Sequence, residues 1–298
     1  FLPDIVIIAG SWTYPTVWKL LCSRRNNNVR YFFWVESHER RAMKAKSSNK
    51  CVSAFKKYLY MKFDGYCLPG MYAEEAMDHF VGKHGQRLRL PNLVDDVSYQ
   101  HAISKRKDTY ELRLKYGIPA KKRVFFCPAR LLNLKGLDLF LKSAGKVKGI
   151  SKACFLLAGE GPMKKELQDI ADKENLDVHF MGYCNQDTVI EFYALSDFFF
   201  LPSLQDCNPL SAIEAAFAGL PLCVSIYTGN SPELIQPYKN GVIFDILDTE
   251  EVQECIYFLL NASEEWVSNA GRESLAIAQN SFACINETKK FLAQLREG

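Results

Sequence analysis

From Ala120 onward, short apolar runs alternate with stretches of helical periodicity. Arg123–Pro128, Ala153–Ala158, "VHFMG" (178–182), "DFFFL" (197–201), "PLCVSI" (221–226) and "GVIFD" (241–245) are mostly apolar, the pattern of strands covered on both faces. Between them Gly136–Lys146, Met163–Glu174, a stretch near 186–194 and Ser211–Ala218 read as helices. This rhythm predicts a parallel sheet flanked by helices, a doubly wound domain whose ligands bind at the carboxyl ends of the strands.

The first hundred residues show a shorter version of the same pattern. "DIVIIA" (4–9), "VRYFFW" (29–34), "GYCLP" (65–69) and the weaker "RLRLP" (87–91) are the strand candidates, enough for a thin domain. Residues 91–122 are more polar and irregular and read as a linker, while 263–296 is helical and amphipathic. The expected division is therefore 1–100, 101–280 and a terminal helix at 281–298 that is free to cross back to the first domain. No repeat at solenoid spacing and no low-complexity segment interrupts it.

Composition narrows the class. At 298 residues the chain can bury two ordinary cores, and 48% hydrophobic with 24% charged residues favours a soluble globular protein. The net charge of +3 comes without a basic stripe, which speaks against nucleic acid as a partner. Ten cysteines are scattered singly, several inside apolar runs such as "VFFCP" and "PLCVS", with no CxxC spacing; they imply a reducing, cytoplasmic setting. No apolar stretch approaches the roughly 20 residues of a membrane span, and no signal peptide is visible. The chain opens on Phe1 rather than Met, as expected of one trimmed at its N-terminus.

Three loops after strands in the second half hold residues suited to a phosphorylated ligand. In "PARLLNLKG" (128–136), Arg130 offers a planar fork and Lys135 a mobile point charge, together able to neutralise a diphosphate; two solvated surface cations are the alternative. In "AGEGP" (158–162), Gly159 lets a backbone or a ligand approach closely, and a structural turn accounts for it without a ligand. In "LPSLQDCNPLSAIEAAFAGLP" (201–221), Asn208 and Pro209 suit a helix start, leaving the amides of Leu210 and Ser211 to point at an anion. Asp206 precedes that helix and Glu214 sits about a turn inside it, so both can face a ligand whose phosphate rests on the helix end. A plain preference for acids near a helix N-terminus competes with this for either acid alone.

In order and spacing, Arg130, Lys135, "GEGP", "MGYCNQD", "PSLQDCNPLSAIEAAFAGLP" and "TGNSPELI" resemble the donor domain of the family 4 retaining glycosyltransferases of GT-B architecture. The family signature is an acid, seven residues, then Glu, met here by Asp206 and Glu214; the usual first acid is Glu, and Asp206 is shorter by one methylene. The resemblance implies two Rossmann-like doubly wound domains, the N-terminal one incomplete because "PDIVIIAG" looks like the family's fourth acceptor-domain strand. It assigns Glu214 to the nucleotide ribose, Asp206 to the donor sugar, and Arg130, Lys135 and the amides after Asn208 and Pro209 to the diphosphate. Gly159 joins the binding set, and Tyr183 and Cys184 supply backbone against the base. "FFWVESHERR" (32–41) resembles the stretch that carries an active-site His, here His38, although a lone His after a strand is as often a surface residue.

The same resemblance implies transfer of a sugar, with retention, from a UDP-sugar or GDP-sugar to a glycan, lipid-linked or small-molecule acceptor. No metal or other cofactor is expected, since cations and a helix end already meet the leaving diphosphate and the acid pair in "VDD" (94–96) lies in the linker. Two alternatives remain. A nonhydrolysing sugar-nucleotide epimerase needs further acids and histidines, and beyond Ala120 the only histidine is His179. A nucleotide-sugar-binding module without turnover needs none. Residues 44–62 carry six lysines among Val52, Phe55, Tyr58, Leu59 and Tyr60, suited either to peripheral contact with an anionic membrane or to a solvated helix packed on the first sheet.

Overall fold

The computed structural model describes residues 3–22, 28–36 and 50–297. The chain divides into two compact units, 1–92 with 285–298 and 93–284. Both are parallel α/β structures.

Unit 1 contains β1 (Ile5–Ala9), α1 (Pro15–Cys22), β2 (Arg30–Trp34), α2 (Lys50–Tyr60), β3 (Gly65–Leu68), α3 (Met71–Val81) and β4 (Gln86–Arg89). Its four strands are ordered β1-β2-β3-β4. Alternation along β2 sends neighbouring rings to opposite faces. Phe33 packs with Leu59, Tyr60 and Phe63, whereas Phe32 joins Cys67, Leu88, Phe291 and Leu295. The last two residues belong to the terminal helix, which thus covers the second face of this sheet. Gln86 and Arg89 hold it further through bonds of 3.1 and 3.0 Å to Gln294.

Unit 2 begins with α4 (Asp96–Lys105) and α5 (Thr109–Lys115), so the stretch expected as an irregular linker is helical and part of the domain. The reason is chemical. The inward side of these helices is made of Tyr99, Ala102 and Arg113 rather than of a run of aliphatics. Arg113 is buried because carbonyls of Leu195, Ala120 and Lys122 and the Asp197 carboxylate accept its guanidinium protons at 2.9–3.1 Å. Asp95, from the "VDD" acids, caps α4 by accepting from the Ser98 amide at 3.3 Å.

The sheet strands are β5 (Arg123–Pro128), β6 (Ala153–Ala158), β7 (Val178–Gly182), β8 (Phe198–Leu201), β9 (Leu222–Ser225) and β10 (Gly241–Phe244). The intervening helices are α6 (Leu137–Ala144), α7 (Lys164–Lys173), α8 (Gln186–Leu195), α9 (Leu210–Phe217) and α10 (Ser231–Leu234). After them come α11 (Thr249–Leu260), α12 (Glu264–Ser281) and α13 (Cys284–Glu297), the terminal helix that returns to unit 1. The continuous apolar runs are explained by helices on both faces. Phe125 of β5 meets Phe155 and Phe198, while its neighbour Phe126 turns to Phe192 and Tyr193 of α8. The strand order is β10-β9-β8-β5-β6-β7, so the chain reverses direction across the sheet between β5 and β8. In such sheets the crevice for ligands opens at that reversal, beyond the carboxyl ends of the strands. Among the described residues no helix is long and apolar enough to cross a membrane.

Candidate functional site

The loops leaving β5 and β8 meet at the reversal. Phe125 and Phe198 are register partners, and both strands deliver their following loops to the same side. The two loops are tied by the Leu204 amide, which donates to the Leu134 carbonyl at 2.9 Å. Gly136 permits the approach. Its φ is +63°, and a Cβ on it would lie 2.2 Å from the Pro202 carbonyl oxygen. Held this way, Lys135 donates to the Asp206 carboxylate across the junction, with side-chain exposures of 20% and 16%. Asp206 is also stitched to the loop after β9, its amide donating to Tyr227 at 3.1 Å and its carbonyl accepting from Gly229 at 2.8 Å. The cation assigned to the diphosphate and the acid assigned to the sugar therefore form one unit.

Helix α9 starts beside this pair. Pro209 is its N-cap with φ −67° and no side-chain cap, leaving the first-turn amides without an internal acceptor. The Asn230 amide group holds the Pro209 carbonyl at 3.0 Å. Asn208 is buried, Leu210 is exposed and Ser211 half-buried. One turn in, Glu214 is half-buried and its carboxylate accepts from the Tyr193 hydroxyl at 3.0 Å, with the Tyr99 hydroxyl facing it. Burial raises the Glu214 carboxyl above its ordinary value, and the two hydroxyls oppose that rise. Burial also keeps both phenols protonated, hence donors. Tyr193 left a faint trace in the sequence, as a Tyr inside an apolar stretch that needs a partner for its hydroxyl; Tyr99, in the polar stretch 91–122, left none, and nothing local names the partner of either.

The remaining candidates are not bonded to the Lys135–Asp206 pair among the described residues. Arg130 is exposed on the β5 loop, and among the described residues no carboxylate pairs with it. Gly159 serves backbone packing, since a Cβ there would lie 2.1 Å from the Ala129 carbonyl oxygen; the Ala129 amide in turn donates to Ala158 at 3.0 Å. Tyr183 and Cys184 follow β7, two strands from β5 and so roughly 10 Å across the sheet. The Tyr183 side chain is 87% exposed, whereas the Cys184 thiol is turned back on the Met181 and Gly182 carbonyls. His38 lies outside the described residues. Three buried hydroxyls near Asp206, those of Ser203, Thr228 and Ser231, have no hydrogen-bond partner among the described residues. At the opposite, amino end of β6 and β7, ligand atoms of Cys154, Asp177 and His179 lie within 4.8 Å of one another. The Lys122 ammonium at 2.9 Å already balances the Asp177 charge there.

Known proteins fit this geometry. The N-acetyl-alpha-D-glucosaminyl L-malate synthase of Bacillus anthracis is 25% identical over 202 residues, 67% of this chain and 52% of that protein. A GDP-mannose-dependent monoacylated alpha-(1-6)-phosphatidylinositol monomannoside mannosyltransferase of Corynebacterium glutamicum is 26% identical over 188 residues, 60% of this chain and 48% of its own. The chain thus spans about half the length of these curated relatives. Anabaena HepE, solved in complex with UDP and glucose, superposes with a TM-score of 0.75 at 15% identity over 99% of this chain and 78% of that one, a likeness of fold. The two Rossmann-like parallel-sheet units are those of the GT-B glycosyltransferase architecture. Residues 108–273, which hold the Lys135–Asp206 junction and Glu214, match the family described as glycosyl transferases group 1, and the chain belongs to that family.

Proposed function

We propose that this chain carries the donor side of a retaining, metal-independent transfer of a sugar from a nucleoside diphosphate sugar to an acceptor hydroxyl in glycan or glycolipid synthesis. One observation carries the reading: Lys135 and Asp206 meet at the sheet's reversal, beside the uncapped start of the helix that bears Glu214. A diphosphate on that helix end has beside it the paired Lys135 and Asp206, a cation for its leaving oxygen and an acid for the sugar. Negative charge grows on the leaving oxygen as the glycosidic bond breaks, and donors fixed in place beforehand lower the barrier there. Arg130, exposed on the same loop, adds a second cation. The buried hydroxyls of Ser203, Thr228 and Ser231, without a partner among the described residues, suit a polyhydroxylated ligand. UDP and GDP both occur among the relatives, and either suits a site whose base contacts come from backbone.

Metal independence is supported by what the acids do. Asp206 is committed to Lys135 and Asp95 to a helix cap. Turnover is expected to survive EDTA unchanged; a strict requirement for magnesium or manganese overturns this part. The reading itself is tested by thermal shift with UDP, GDP and their sugars, since a ligand of the folded state alone raises stability. Proton NMR of the product then reads the anomeric configuration. Nucleotide binding without any transfer favours the binding-module alternative. The epimerase reading draws no support, because His179 bonds to Asp177 at 3.0 Å at the far end of β7.

Unit 1 supports a peripheral contact with an anionic bilayer. Val52, Phe55, Tyr58 and Met61 recur along one side of α2 and just beyond it, all exposed, while Leu59 and Tyr60 take up the core packing. Lys57 is exposed beside them, and Lys62 lies 4.5 Å from the Tyr58 ring. Lysines 44 and 46 lie outside the described residues. Sedimentation with anionic vesicles is expected to carry the protein down at low salt and release it as salt rises; absence of binding at low salt ends the idea.

A further inference from the structure

We infer that Tyr99 and Tyr193 are positioning residues for the nucleotide, their hydroxyls fixing the Glu214 carboxylate in the orientation that receives a ribose diol. The inference rests on the reading of Glu214 as the ribose acceptor. The two phenols come from different helices, Tyr99 from α4 and Tyr193 from α8, and converge on one side chain of α9. Neither ring can readily swing away. Tyr193 is fully buried, with its ring 5.0 Å from Phe126, and Tyr99 is 8% exposed and meets Tyr193 edge to face at 5.9 Å. The Tyr193 hydroxyl also lies 3.1 Å from the Ser211 carbonyl oxygen in the first turn of α9, which ties it to the helix start as well as to the acid.

Stoichiometry supports the assignment. An ionised carboxylate offers about four lone-pair sites. Tyr193 takes one and Tyr99 faces another, which leaves about two open, matching the vicinal hydroxyls of a ribose. The donors also counter the tendency of burial to protonate Glu214, and a protonated carboxyl cannot accept from both hydroxyls through both oxygens. Cys127 of β5, the other titratable group felt by Tyr193 besides Tyr99 and Glu214, is held as a neutral thiol by burial. If the phenols served the fold alone, their loss would lower stability and leave ribose recognition as it was.

The experiment is calorimetric titration of the whole chain, parent and variants, with UDP, GDP and their 2′,3′-dideoxy counterparts. The parent is expected to prefer the ribose form by about tenfold or more, and Glu214→Ala to lose that preference. Tyr193→Phe and Tyr99→Phe, which keep the rings, are each expected to cut the preference severalfold while affinity for the dideoxy form stays put. Melting temperatures show which variants are folded, and either single variant suffices. Phenylalanine variants that discriminate as the parent does overturn the inference while leaving Glu214 in place. A parent that binds neither diphosphate, or binds both sugar forms equally, removes the Glu214 reading and the inference together.

Discussion

Replacing Lys135 with Ala is expected to lower turnover by about 10²–10³-fold, the loss that accompanies removal of one fixed donor to a developing oxyanion, about 2.7–4 kcal/mol. The substitution does two things at once. It takes a cation from the diphosphate, and it removes the Lys135 partner of the Asp206 carboxylate, which is mostly buried. Taking a partner from a mostly buried charged acceptor costs about 1–3 kcal/mol, so some loss of stability accompanies the loss of rate. The two effects separate in the double variant Lys135→Ala/Asp206→Asn. Neutralising the acid is expected to restore most of the melting temperature and none of the turnover. Near-parental turnover in the single variant, with only the melting temperature lowered, would show that the pair is a structural clasp between the β5 and β8 loops.

Replacing Glu214 with Ala is expected to weaken UDP or GDP binding by about 1.5–3 kcal/mol, the range for a hydrogen bond to a charged group. The pH dependence carries a sign that can be checked. Burial raises the folded-state carboxyl above its ordinary 4.5, so the folded protein holds this proton more tightly than the unfolded chain. The resulting stability is fully present below 4.5 and is lost as pH rises through the folded value. Nucleotide binding runs the other way, because the ionised carboxylate is the better acceptor, and affinity falls on acidification. In Glu214→Ala both trends should flatten: melting temperature changes less between pH 4.5 and neutrality, and the acid-side fall in affinity shrinks. Unchanged affinity in the variant removes Glu214 from the ribose.

Much of the second unit is legible in the chain itself. Arg123–Pro128, Ala153–Ala158 and Val178–Gly182 appear as strands with the bounds their apolar runs suggest, because a strand covered on both faces leaves a continuous mark. The place of Glu214 one turn into α9 likewise reflects local helix geometry. Tertiary structure alone decided the rest. Helices α4 and α5 are hidden in a polar stretch because their inward faces are Tyr99 and Arg113, and Arg113 becomes a core residue only when Leu195, Ala120 and Lys122 present their carbonyls. Lys135 belongs with Asp206 because β5 lies next to β8, a pairing 71 residues apart. Glu214 belongs with Tyr99 and Tyr193 because α4 packs against both α8 and α9, and the Tyr193 hydroxyl reaches from α8 to α9. Side-chain periodicity reports which face of an element is buried, and only the packed sheet determines which distant polar groups share that burial and must satisfy one another.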